Sequence, residues 1–148
     1  MNYETVVTDL FERFPKLQLA SDTKFAYMGG EELGAHTVFG SVLMPALEQA
    51  LATDDLGSIL PICAFLEEVA EAAEEDLGLK GLLQVEVGEW LGGAANEASL
   101  APWLGMKTKR ICGYVPGLAT QRITLRAEEN KRSLTRRISS FMTRLRRK

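Results

Sequence analysis

Residues 56–76 read LGSILPICAFLEEVAEAAEED, and this stretch decides the fold class. Ile59, Ile62, Cys63, Leu66, Val69, Ala70 and Ala73 recur at spacings of three and four, which puts them on one side of an α-helix. Glu67, Glu68, Glu71, Glu74, Glu75 and Asp76 fall on the other side. Thr53-Asp54-Asp55 supplies a cap ahead of the helix, and Gly78 is a natural stop behind it. The pattern predicts a two-faced helix, one side for a core and one side acidic.

The same period recurs up and down the chain. Val6, Val7, Leu10, Phe11 and Phe14 predict a first helix that Pro15 stops. Val38, Phe39, Val42, Leu43, Met44, Leu47 and Leu51 predict another, weakened by Gly40 and either kinked or begun by Pro45. Leu79, Leu82, Leu83, Val87, Trp90 and Leu91 predict a third, closed by Gly92-Gly93. Within it Gln84-Val85-Glu86-Val87 alternates like a strand, but the run is too short to overrule the helical pattern. Ala94 to Leu104 reads as a short helix or helical turn.

Loops are expected over 16–35, where Leu17 and Leu19 suit a short extended piece, and over 105–120, with Gly105 to Gly117 irregular. Leu134, Ile138, Phe141, Met142 and Leu145 then form a narrow apolar stripe among Arg132, Arg136, Arg137, Arg144, Arg146 and Arg147. The expected architecture is all-α, a single compact bundle of five to seven helices. Residues 1–120 would be an acidic helical domain, and residues 121–148 a basic amphipathic helix packed on the same domain.

A chain of 148 residues suits one domain, which buries roughly two-thirds of its unfolded surface without a disulfide or metal staple. Its net charge of -3 hides a division. Residues 1–100 hold 18 acidic and 4 basic side chains, a balance of -14, whereas residues 101–148 hold 2 and 13, a balance of +11. Such a chain is neither a low-complexity protein nor a uniformly basic nucleic-acid packer.

Two cysteines, Cys63 and Cys112, make no disulfide framework. Lys107, Lys109 and Arg110 stand close enough in sequence to lower the Cys112 pKa, although a half-buried, unreactive thiol is the ordinary reading. The N-terminus lacks the basic start and apolar run of a signal peptide. No apolar segment has the length of a membrane span, so a cytoplasmic protein is expected.

Most catalytic chemistry lacks its residues. A single histidine, His36, removes zinc clusters and leaves a histidine-assisted nucleophile without a supporting signature. Facing glutamates can build a two-metal site, but such sites use Glu-x-x-His pairs, which this chain lacks. Gly29-Gly30-Glu31-Glu32-Leu33-Gly34 has no Lys-Ser/Thr, and its glutamates would repel phosphate. The residues therefore argue for a binding protein, with no catalytic group, metal or cofactor expected.

Two surfaces stand out. One is the acidic face of residues 67–76, extended by Glu86 and Glu89; like charges at these spacings cost a few tenths of a kcal/mol per pair, so an offset is expected, either from the chain's own basic tail or from a basic external partner. The other is the basic terminal helix, where Arg132, Arg136, Arg137 and Arg144 are the candidates for nucleic-acid binding.

Phe65-Leu66-Glu67-Glu68, Leu83-Gln84-Val85-Glu86-Val87-Gly88-Glu89-Trp90-Leu91 and Leu104-Gly105-Met106-Lys107-Thr108-Lys109 resemble a family of small, uncharacterised bacterial helical proteins found near toxin genes. Members read approximately Leu-Gly-Pro-Lys-Ser/Thr in the last segment, where this chain has Met106 in place of proline. The resemblance covers about residues 1–110 and leaves out the basic tail. It implies a helical immunity protein that binds and neutralises a cognate toxin, and supplies no catalytic residues. Joined to the acidic surface, it nominates Glu67, Glu68, Glu71, Glu75, Glu86 and Glu89 as facing a basic toxin surface, with Trp90 or Trp103 as anchor. The alternative is a nucleic-acid-binding or regulatory module working through the basic helix. Oligomeric state stays open.

Overall fold

The helix predicted from residues 56–76 is the spine of the molecule, and Phe65 on it is the hub of the core. In the computed structural model, which describes residues 1–29, 32–118 and 121, the fold is all-α. Seven helices and no strand occur among these residues: α1 (Val6–Arg13), α2 (Pro15–Lys24), α3 (residues 35–52), α4 (Leu56–Ala72), α5 (residues 77–91), α6 (Ala94–Leu100) and α7 (Met106–Ile111). A single 3-10 turn, Ala26–Met28, follows α2. Residues Met1–Tyr114 form one compact unit, and Val115–Lys148 are a second, of which 115–118 and 121 are described. The terminal helix expected over 121–148 lies outside the described residues, except for Gln121.

All seven apolar residues expected on the inner side of α4 and its exit are buried. Phe65 joins them, fully buried, with Phe14 edge-on at 5.9 Å and Phe39 at 6.4 Å between ring centres. The Arg13 guanidinium lies 5.5 Å from the same ring centre. Val6 and Leu10 from α1, Val38, Leu43 and Leu47 from α3, and Leu79, Leu82, Leu83 and Val87 from α5 lie in the same core, as do Leu100, Leu104 and Ile111. Burying a large apolar side chain this fully contributes roughly 1.5–3 kcal/mol, so the stripe on α4 alone holds several helices to it.

Pro15 acts on both sides of itself. The residue before a proline is pushed out of helical geometry, and Phe14 has φ -127° and ψ 73°, which ends α1. Pro15 then opens α2, where its missing N–H would have had no partner in any case. Residues 15–24 are therefore helical, and the extended piece expected around Leu17 and Leu19 is not present.

Two helices carry π-turns. In α3, Phe39–Leu43 is wound this way, with the Met44 N–H donating to the Phe39 carbonyl five residues back. Pro45 cannot donate to the carbonyl four residues behind it, Ser41, and that oxygen accepts the Lys24 ammonium at 2.8 Å. In α5 the π-turn is Leu83–Gly88, so the strand-like alternation of residues 84–87 is helical after all.

Gly78 is not the end of α4. The spine helix stops at Ala72, and Asp76 caps α5, its Oδ1 accepting from the Gly78 and Leu79 N–H groups at 2.8 and 3.1 Å. Its Oδ2 accepts the Tyr3 N–H at 2.9 Å, which straps the N-terminus to this corner. Glycine is needed at 78 because a Cβ there would stand 2.8 Å from Tyr3 Cγ.

Residues 106–111 are likewise helical where an irregular segment is expected. This helix, α7, runs alongside α4 in the same direction, and the contacts that hold it there concern the acidic face. No helix among the described residues is long and apolar enough to cross a membrane.

Candidate functional site

The acidic side of α4 is a seam. Glu67 Oε1 accepts the Lys107 N–H at 2.9 Å, and Oε2 accepts the Thr108 N–H at 2.9 Å and the Thr108 hydroxyl at 2.8 Å. One carboxylate from a neighbouring helix thus serves the first N–H groups of α7, a role ordinarily filled by a local Ser, Thr, Asp or Asn. Gly105 lets it approach, since a Cβ at that position would collide with the Glu67 carboxyl group. Burial works to raise the Glu67 pKa, but the hydrogen bonds from Thr108 and Lys107 outweigh it and hold the group below the usual range.

Three more carboxylates of the row are each matched by a base. Lys107 pairs with Glu71 at 2.9 Å, Arg110 pairs with Glu74, and Arg13 pairs with Glu68 at 2.7 Å. The carboxylate of Glu71 raises the Lys107 pKa, and that of Glu68 raises the Arg13 pKa. These pairs are largely solvent-exposed, so each contributes little to stability by itself. Their larger effect is to remove like-charge repulsion along α4 and to set the register of α7. The base that offsets the acidic row comes from Arg13, Lys107 and Arg110.

Of the residues singled out from sequence, Glu67, Glu68 and Glu71 are therefore engaged within the fold. Glu75 and Glu89 are exposed and have no ionic partner among the described residues. Trp90 is half-buried against the core, and Trp103 is 38% exposed. Arg132, Arg136, Arg137 and Arg144 lie outside the described residues.

Glu86 has a separate role. Its Oε1 lies 2.8 Å from His36 Nδ1, with side-chain exposures of 17% for Glu86 and 45% for His36. The carboxylate rests on Gly40, in the π-turn of α3, where any Cβ would collide with it. The contact therefore ties the two π-wound segments, and the Tyr3 ring stands 6.3 Å from the imidazole.

Cys112 is half-buried, in line with the ordinary reading of its sequence. The nearby positive charges do not govern it; burial pushes its thiol up to about 12, and Cys63 up to about 11. Both are free thiols, the Cys112 Sγ donating to the Leu83 carbonyl at 3.4 Å. No group of three or more His, Cys, Asp or Glu is arranged to hold a metal ion among the described residues.

Arg13, Lys107, Thr108, Arg110 and Gly105 were not anticipated as partners of the acidic row. A signal for two of them exists: Glu71 and Glu74 are three apart, as are Lys107 and Arg110, so two helices running parallel bring them into step. No family model matches the chain, and no curated protein or solved structure proves similar to it.

Proposed function

We propose that this chain is a bacterial immunity protein, a non-catalytic binder that neutralises a cognate toxin by covering a basic surface on it. The observation that carries the reading is the charge left over after the internal pairs have formed. Residues 1–114 hold 18 acidic and 7 basic side chains, a balance of -11, and Arg13, Lys107 and Arg110 are already committed to α4. A compact unit with that excess attracts a basic partner, speeds encounter with it and rejects acidic competitors.

The resemblance of residues 65–68, 83–91 and 104–109 to helical proteins near toxin genes supports the same reading. Since Glu67, Glu68 and Glu71 are engaged in the scaffold, the partner-facing residues are the exposed Glu75 and Glu89, with Trp90 beside the latter in sequence as the anchor.

The test is co-expression and binding in the native host. The partner must be a protein that arrests growth alone and is tolerated with this chain. Reversing charge at Glu75 and Glu89 together should slow association at least tenfold and steepen no salt dependence. Unchanged association would remove these residues from the interface. Loss of binding on truncation after Gln121, with Glu75 and Glu89 reversal silent, would transfer the function to the basic tail.

A further inference from the structure

A groove of about 390 Å³ opens where the start of α2, the second half of α3 and the first turns of α4 meet. Phe14, Leu17, Ala46 and Ile62 supply apolar lining, while Arg13 and Lys16 supply charge. Its size falls within the roughly 300–1,000 Å³ range of small-molecule sites, which are mainly apolar with a few placed polar groups.

The charge is out of place for this molecule. Only four basic side chains occur in the first 100 residues, and two of them line this one groove. Arg13 is turned to Glu68 at 2.7 Å, but Lys16 has no ionic partner among the described residues. An apolar trough with one uncommitted ammonium selects a ligand with an apolar body and an anionic end. Asp55 stands beside the lining with its Oδ2 accepting the Ser58 hydroxyl at 2.6 Å, and exposed acids farther than about 8 Å are largely screened at physiological salt. A carboxylate in contact with Lys16 feels mainly that ammonium.

We propose that this groove binds a free amphiphilic carboxylate, its hydrocarbon body lying among Phe14, Leu17, Ala46 and Ile62 and its carboxylate on Lys16. The site is distinct from Glu75 and Glu89, so it stands or falls independently of the toxin-binding reading.

Dodecanoate, titrated calorimetrically into the full chain below its micelle concentration, is the probe. Saturable binding with one site is expected, weakened at least tenfold by Lys16→Glu and abolished by Ala46→Trp, which fills the trough. Dodecanol, lacking the charge, should bind at least tenfold more weakly than dodecanoate. Circular dichroism checks that each variant keeps its helical content, and Lys16→Arg, which retains the cation, should restore most of the affinity. Absence of dodecanoate binding overturns the proposal, as does equal binding of dodecanol, full affinity in folded Lys16→Glu, or full affinity in folded Ala46→Trp.

Discussion

Gly105 and Glu67 fit together as backbone and carboxylate: the Glu67 carboxyl group occupies the space that a side chain at 105 would need. The glycine is there for clearance, since it is not in a left-handed conformation (φ -68°, ψ 167°). Gly105→Ala should push the carboxylate off the Lys107 and Thr108 N–H groups and cost about 1–3 kcal/mol, the usual penalty for orphaned donors. Gly81→Ala is the counterpart, inside α5 with nothing within 4 Å of the new Cβ, and should stabilise by roughly 0.4–1 kcal/mol. Urea unfolding midpoints of opposite displacement check both; a neutral Gly105→Ala would dissolve the pairing.

Acid should loosen the seam through Glu67. Its folded pKa lies below the ordinary value of 4.5, so its contribution is fully present above that value. The contribution is lost as pH falls through the lower folded pKa. Compared with Glu67→Gln, the native chain should therefore have its greatest advantage at neutral pH and lose it progressively as the pH falls below 4.5. Denaturant midpoints of the two proteins across this range provide the check, and a constant gap would mean that ionisation of Glu67 is irrelevant.

Asp76 holds the N-terminal strap and the start of α5 with one carboxylate, and the hydrogen bonds from Tyr3, Leu79 and Gly78 lower its pKa. Asp76→Ala should speed amide hydrogen exchange at Tyr3, Gly78 and Leu79 together, with little change in α7. Faster exchange at Gly78 and Leu79 alone would show that the strap has other support.

Cysteine labelling should be slow in the native state. With thiols pushed up to about 11 and 12, Cys63 and Cys112 hold almost no thiolate at pH 8, and iodoacetamide should modify neither within the time that labels both in urea. Rapid native labelling of Cys112 would mean that Lys107, Lys109 and Arg110 govern it after all.

The inner side of α4 was legible from periodicity because burial obeys the helical repeat, and all seven of its residues are buried. What escaped reading was set by partners far away in sequence. The helix at 106–111 is short and begins after a glycine; its first N–H groups are satisfied 40 and 41 positions upstream, where no local pattern records them. Proline at 15 marks a stop, yet the same residue starts α2, a double use that a list of breakers cannot express. Asp76 looked like one more charge on an acidic face, and became a cap only because α4 had already ended at Ala72. For the acidic row itself, counting charges identified the repulsion but not which bases would relieve it.

The seam also fixes an order of events during synthesis. Glu67 leaves the ribosome 41 residues before Thr108, an interval of roughly 2–8 s at ordinary elongation rates of about 5–20 residues per second. Throughout that time the carboxylates of α4 repel one another with neither Lys107 nor Arg110 available. The two bases that relieve Glu71 and Glu74 are thus among the last residues of this unit to be translated, and they arrive on the same short helix that brings Ile111 into the core.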